Sequence, residues 1–222
     1  MLKARRVSLA FILLVLAATS STCFSQTPTT TSQAAYVYVS NAKGVYLYNA
    51  ASNGALTPVA GSPFSVAGSP VGSNGKYLVS LGTDYIHTYS IASNGAIQAQ
   101  VSQIDTKTYF SNPATGCGAT AGGVLNHTGQ DVYVLRGLNG CAALQSYQIS
   151  SAGILSFLDS SSFESGITDP YTPPPAITAD DLYGYTGRYV GFCSEDTDVF
   201  QRQSNGAMIS ITAGGASDFR AS

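Results

Sequence analysis

The sequence predicts an all-β protein, specifically a β-propeller of about four blades, each a four-stranded antiparallel sheet. Composition is the first observation: the 222 residues are 44% hydrophobic but only 10% charged, and they include 23 glycines and 14 tyrosines. This excludes a disordered chain, and it also excludes a coiled coil or helical bundle. The second is a short motif that recurs four times. The third is the alternation of apolar residues with a period of two, without helical periodicity after residue 26.

The first 25 residues are predicted to be a secretory signal peptide. Basic residues precede an apolar run over residues 7–18, and small polar residues follow, which is the usual order in such signals. The run is shorter than the ~20 residues of a membrane span. We expect cleavage near Ser25 (an earlier site at Ala17 or Ala18 is the alternative), a flexible lead-in over residues 26–34, and a secreted or periplasmic protein without a membrane span. Acylation of Cys23 is a further alternative, although the usual upstream leucine is missing.

The charge of the mature chain argues against a nucleic-acid partner. The leader contains three of the ten basic residues and none of the twelve acidic ones, so seven basic residues remain and the formal net charge is −5. Proteins that bind the phosphate backbone need a basic surface. We therefore expect no nucleic acid among the partners.

The predicted repeats span about 35–68, 69–110, 117–165 and 174–213. Each contains an aromatic residue followed six positions later by a glycine: Tyr48 and Gly54, Tyr89 and Gly95, Tyr147 and Gly153, and Phe200 and Gly206. Successive glycines are 41, 58 and 53 residues apart, which is a typical size for propeller blades. Asn-Gly and Ala-Gly tolerate the positive φ of a tight turn, so each unit predicts a β-hairpin.

A second apolar strand precedes each hairpin, over residues 36–40, 76–81, 132–136 and 182–186. A small-residue segment before it predicts the innermost strand, at residues 118–125, 175–179 and, shortened, 69–73. Each blade is thus expected to have strands a, b, c and d in chain order. The first repeat lacks strand a.

These motifs resemble the lactonase-type β-propellers. The resemblance lies in GALTPVAGSPF (residues 54–64) with YVYVSN before it, and in SNGKYLV (73–79) and HTGQDVYVL (127–135); it covers most of residues 35–212. That family includes 6-phosphogluconolactonases, muconate-lactonising relatives and secreted bacterial repeat proteins without an established activity. The resemblance implies the propeller fold. Its motifs are turn and strand residues, so we carry no catalytic residue over.

Members of that family usually have seven blades, whereas four repeats are present here. Three interpretations stay open: a fragment of a seven-bladed ring, a naturally short four-bladed propeller, or a chain that pairs with another chain.

The cysteines predict one disulfide bond in the exported protein. In the predicted blade, Cys117 begins strand a and Cys141 lies in the b–c loop, so both lie on one face. A bridge between them would close about 25 residues and stabilise by roughly 3 kcal/mol. Cys193 is left over. A cysteine nucleophile is not favoured, because the nearest candidate base, His127, is expected on the opposite face, and no ligands occur at zinc spacing.

Four charged residues form the candidate ligand site. Arg136, Arg188, Glu195 and Asp196 are expected at one rim, formed by the ends of the b strands and the b–c loops. Lactone hydrolysis would need such a cation and a base there, although we favour exposed charges in weak surface pairs. With Asp198, the two acidic residues offer oxygens to Ca²⁺, but a solvated loop is the favoured interpretation. We expect no metal and no cofactor.

The sequence therefore favours a secreted binding or interaction scaffold that holds a small molecule or a protein on its loop face. The alternative is a lactonase-type hydrolase that opens a lactone ring. The residues identify neither the ligand nor the oligomeric state.

Overall fold

A computed structural model describes residues 33–109, 120–137, 142–163, 174–189 and 195–211. Within these ranges the chain forms fifteen β-strands and no helix, which confirms the all-β prediction. None of the described residues belongs to a helix long and apolar enough to cross a membrane.

The strands group into four antiparallel sheets. The first sheet contains β1 (Gln33–Asn41), β2 (Gly44–Ala51) and β3 (Leu56–Pro58); the second contains β4 (Ser69–Ser73), β5 (Tyr77–Leu81), β6 (Tyr85–Ile91) and β7 (Ile97–Asp105). The third contains β8 (Thr120–Leu125), β9 (Asp131–Arg136), β10 (Ala142–Ile149) and β11 (Leu155–Phe163); the fourth contains β12 (Ala176–Ile177), β13 (Tyr183–Tyr189), β14 (Glu195–Arg202) and β15 (Met208–Ser210).

Each sheet is a meander in which every strand pairs with the next one along the chain. This is the predicted a–b–c–d order of a propeller blade. Within the described ranges the first sheet has three strands and no strand a, in line with its missing small-residue segment.

The four aromatic-to-glycine motifs form the last hairpin turn of each sheet. At the first, the amide of Gly54 donates to the carbonyl of Ala51, and the amide of Ala51 donates to the carbonyl of Ala55, both at 2.9 Å. The other three turns have the same pair of bonds. Only the glycine has a positive φ, between 80° and 93°. The turns are thus three-residue hairpin loops that end in a glycine bulge, and the preceding Asn or Ala needs no left-handed backbone.

The core lies between successive sheets, not within any one of them. Val79 and Ile86 of the second sheet pack against Val132 and Val134 of the third, and all four are fully buried. Similar clusters join the first sheet to the second and the third to the fourth. The broad contacts between sheets follow chain order, so the four described sheets form an open row that does not close into a ring.

Candidate functional site

The loop face is the edge of the sheets that carries the b–c turns and the d–a connections. In the first sheet the β1–β2 turn lies there, and in the second the β5–β6 turn, because an antiparallel strand ends where its neighbour begins. β4, β8 and β12 begin at the same edge. The sequence predicts the candidate rim on this face.

A polar cleft, called the loop cleft below, opens on the loop face of the first sheet. It is open to solvent, has a volume of about 500 Å³ and is lined by residues 40–45, 65, 66, 68 and 69. Lys43 is the one charged residue among these ten, and Asn41 and three serines supply further hydrogen-bonding groups. Gly68 has a φ of +76°, and a Cβ there would lie 2.4 Å from the carbonyl oxygen of Leu81. Glycine therefore lets this wall of the loop cleft approach the second sheet.

Arg136 occupies the last position of β9 but does not project from a rim. Its side chain is 1% exposed and lies between the second and third sheets. One terminal nitrogen donates to Thr106 Oγ1, and the other lies 3.4 Å from Asp84 Oδ1. The expectation of an exposed loop charge in a weak surface pair is therefore wrong for Arg136.

The network around Arg136 joins two sheets. Gln145 Nε2 donates to the Thr106 carbonyl at 3.0 Å, and the Thr106 amide and hydroxyl both donate to the Asp84 carbonyl. Burial lowers the pKa of the Arg136 guanidinium, and the nearby Asp84 carboxylate opposes this shift. Asp84 also holds Lys107, whose Nζ lies 2.7 Å from Oδ2. Both Asp84 oxygens are thus engaged with cations, which leaves this carboxylate poorly placed to activate a water molecule.

The other three rim residues lie in the fourth sheet. Arg188 and Asp196 face each other in the register of β13 and β14, and Glu195 pairs with Tyr189. The structure does not describe the side chains of these residues, so the rim that they are expected to form stays a prediction. Cys117, Cys141 and Cys193 also lie outside the described residues, as does the predicted disulfide bond.

The acidic run is strand, not loop. β14 begins at Glu195 and includes Asp198, whose side chain is 5% exposed. The expected loop conformation over these residues is therefore wrong, because pairing with β13 continues to the Tyr189–Glu195 position. The exposure of the Glu195 and Asp196 side chains stays a prediction. Among the described side chains no three acidic, histidine or cysteine groups cluster to hold a metal ion.

Both histidines are described, and each has a carbonyl or carboxylate partner. His87 is buried in β6 with its Nδ1 at 3.2 Å from Gln100 Oε1, and burial lowers its pKa. His127 lies in the β8–β9 turn, as predicted, on the face opposite to the loop face. Its Nδ1 lies 2.8 Å from Asp181 Oδ1. This geometry joins the third sheet to the fourth.

Sequence reasoning missed the burial of Arg136, although one signal was available. Val132, Val134 and Arg136 follow each other at a spacing of two, so they share one face of β9. Both valines are fully buried against the second sheet. The same alternation extended by one step places the arginine in that interface.

Comparisons with known proteins give distant structural similarity. No protein-family model matches the chain, and no curated protein sequence matches it. A solved structure of a functionally unknown protein from Desulfotomaculum acetoxidans is 16% identical with a TM-score of 0.48, over 76% of this chain and 50% of that one. A luciferin-regenerating enzyme is 15% identical with a TM-score of 0.38, over 65% of this chain and 44% of that one.

The periplasmic gluconolactonase of Pseudomonas aeruginosa is 13% identical with a TM-score of 0.39, over 76% of this chain and 63% of that one. The chain thus spans between 44% and 63% of the length of these three structures.

Proposed function

We propose that this protein is an exported, non-enzymatic scaffold that binds a small polar molecule on its loop face, in the loop cleft of the first sheet. The cleft is the observation that carries this proposal. Its volume of about 500 Å³ lies within the ~300–1,000 Å³ of small-molecule sites. Its lining has one cation, Lys43, and no carboxylate. These groups favour a neutral or anionic ligand rich in oxygen, such as a sugar or a sugar acid.

The fixed position of the cleft supports binding. The amide of Lys43 donates to Asn41 Oδ1 at 2.8 Å, which holds the turn closed. Gly44 has a φ of +130°, and a Cβ there would lie 2.5 Å from the carbonyl oxygen of Phe64. The two walls are thus joined by backbone packing, which reduces the ordering cost of binding. Arg188, Glu195 and Asp196 of the fourth sheet remain candidates for a second contact on the same face.

Lactone hydrolysis is the competing proposal, through the resemblance of the sequence to lactonase-type propellers. It would need a cation available to a substrate and a base available to water. Arg136 and Asp84 are committed to each other and to Thr106 and Lys107. Arg188 is the remaining cation of the predicted rim, so hydrolysis would depend on it.

Thermal-shift and calorimetric titrations with D-glucose, D-gluconate and D-glucono-1,5-lactone test the binding proposal. We expect at least one of these probes to bind the wild type, and Lys43→Ser to weaken that binding at least tenfold, about 1.4 kcal/mol. Lys76→Ser is the control, because Lys76 lies beyond the opposite edge of the sheets and contacts Ser151. Failure of all three probes to bind would contradict the assigned ligand class, and equal binding by Lys43→Ser would contradict the assigned site.

A pH-stat assay on the lactone separates the two proposals. The scaffold proposal expects lactone opening at the rate of buffer alone. Opening faster than buffer that disappears in Arg188→Ala would instead establish the hydrolase.

A further inference from the structure

The three interfaces between sheets share one hydrogen bond at the turn glycine. In each, the carbonyl of the turn glycine of the later sheet accepts a bond from a hydroxyl of the preceding sheet. The three bonds are Tyr38 to Gly95 at 2.8 Å, Thr88 to Gly153 at 2.7 Å, and Tyr133 to Gly206 at 2.9 Å. The face that offers the hydroxyl is called the hydroxyl face of a sheet, and the face that offers the glycine turn is its turn face.

The second sheet uses a threonine because its equivalent of Tyr38 and Tyr133 is Val79. Val79 pairs with Thr88 across β5 and β6, so the hydroxyl comes from the neighbouring strand at the same height. The bond is thus kept although the residue that supplies it differs. This repetition indicates that the contact belongs to the way these sheets stack.

The turn face of the first sheet is uncovered. Leu56 is 53% exposed, whereas its register equivalents Ile97, Leu155 and Met208 are 7%, 7% and 0% exposed. A Cβ on Gly54 would meet nothing within 4 Å, but a Cβ on Gly95 or Gly153 would lie 2.5–2.6 Å from a tyrosine ring. Among the described residues, the first sheet therefore presents a complete turn face with no sheet packed before it.

The hydroxyl face of the fourth sheet is uncovered in the same way. Tyr183 pairs with Gln201, which places it at the position of Tyr36 and Tyr77 in the first two sheets. Tyr185 takes the position of Tyr38 and Tyr133, and it is 37% exposed where Tyr133 is fully buried. Val199, opposite Tyr185, and Ile209, opposite Gln201, extend this apolar face.

We infer that the hydroxyl face of the fourth sheet docks the turn face of the first sheet of a second copy of this chain. The two faces are the two halves of the interface that the chain forms three times internally, and they lie at opposite ends of an open row. Because the proposed contact continues this repeated interface, the partner that covers each face is a second copy of the chain. The side chains named on the two faces, those of Leu56, Tyr185, Val199 and Ile209, are largely apolar, which favours their contact.

The contact is head to tail, because one copy contributes its fourth sheet and the other its first. Tyr185 donates its hydroxyl to the Gly54 carbonyl of the second copy, and Leu56 of that copy is buried. A head-to-tail contact forms a ring when its rotation closes. The described parts of two copies give eight sheets, within the ~4–8 range of propellers.

Light scattering after size-exclusion chromatography of the purified chain, loaded at 10 and 100 µM, tests the inference. We expect the wild type to elute with at least twice the mass of one chain at the higher concentration. Leu56→Asp and Tyr185→Asp each place a charge in the contact, so each variant alone should be a monomer. An equimolar mixture of the two retains one intact pair of faces, and it should form dimers.

The mixing experiment distinguishes this contact from like-to-like association, in which one of the two variants would still associate alone. Ile154→Asp is the control, since Ile154 is 49% exposed but belongs to the third sheet, and it should associate as the wild type does. Circular dichroism verifies that each variant is folded. A folded wild type that stays monomeric at 100 µM, or association unchanged in both Leu56→Asp and Tyr185→Asp, would overturn the inference.

Discussion

The four turn glycines share a backbone requirement but differ in the space around them. Gly54 and Gly153 have φ values of 84° and 80°, which side chains other than glycine rarely adopt. A Cβ on Gly54 would stand in open space, whereas one on Gly153 would lie 2.6 Å from the ring of Tyr77. Substitution at Gly54 thus reports backbone strain alone, and substitution at Gly153 also reports the contact between sheets.

We predict that Gly153→Ala destabilises the protein more than Gly54→Ala. Each alanine is held at positive φ, which costs about 1–2 kcal/mol. At Gly153 the new methyl group also displaces Tyr77, and overpacking of this kind adds about 1–3 kcal/mol. Urea unfolding followed by circular dichroism, at a protein concentration at which the chain is monomeric, gives both values. Equal losses for the two variants would show that the Tyr77 contact contributes nothing.

At the scale of the strand and the sheet, much of the architecture is predictable from local patterns. The b strands, the hairpins and the absence of strand a from the first sheet as described follow from period-two alternation and from glycine placement, both of which are local. The type of the turn is harder to predict. Asn53 and Asn94 tolerate a left-handed backbone, but only the glycines that follow them adopt a positive φ. Asn53 instead accepts a hydrogen bond from the Ala55 amide at 3.0 Å.

The environment of Arg136 could not be read in full from the sequence, because its partners are remote. Thr106 and Asp84 precede it by 30 and 52 residues, and they reach it only because the second and third sheets stack. Alternation in β9 indicates which face the arginine occupies. It does not indicate that the facing sheet supplies an anion and a hydroxyl there.

Asp181 links the turn between β12 and β13 to the turn between β8 and β9. Its carboxylate accepts the amides of His127 and Thr128 at 2.9 and 3.1 Å, and the ring of His127 at 2.8 Å. Burial by itself would raise the pKa of Asp181, but these hydrogen bonds outweigh it and hold the pKa below its ordinary value. The ionised form is therefore favoured in the folded state.

We predict that Asp181→Asn costs about 1–3 kcal/mol at pH 7 through its weakened hydrogen bonds to the third sheet. Asparagine tolerates the φ of 58° at this position, so backbone strain does not contribute. A carboxyl group whose pKa is lower in the folded state stabilises the folded protein at pH values above its unfolded-state pKa of about 3.9. This stabilisation is lost as the pH falls through the folded-state pKa. The difference between wild type and variant should thus shrink below about pH 4.

Chemical unfolding at pH 7, 5 and 3 measures this dependence. Asp180→Asn is a suitable control, because Asp180 is exposed and accepts a hydrogen bond from Thr178 within its own turn. This hydrogen bond does not connect two sheets. A deficit in Asp181→Asn that is constant across the three pH values would contradict a role for the carboxylate charge.

At the scale of the whole molecule, the protein is a row of sheets in which stability depends on nearest neighbours. Among the described sheets, the second and third have a neighbour on both faces, whereas the first has one uncovered face, as does the fourth. In such arrays, stability is close to a sum of unit and interface contributions. The end sheets should therefore open more readily than the middle ones, and association of copies should reduce the difference.

Hydrogen exchange of β2 and β10 tests this view, because both strands pair on both sides within their sheets. β10 is buried at every position except Gln148, whereas in β2 only Val45 and Leu47 are buried. In a dilute monomeric sample we predict at least tenfold slower exchange in β10, since local opening exposes more apolar surface there.

Raising the protein concentration should slow exchange in β2, where a second copy covers the uncovered face, and leave exchange in β10 unchanged. Equal exchange in the two strands of the monomer would contradict stability through neighbouring sheets, and a concentration effect confined to β10 would contradict docking at the first sheet.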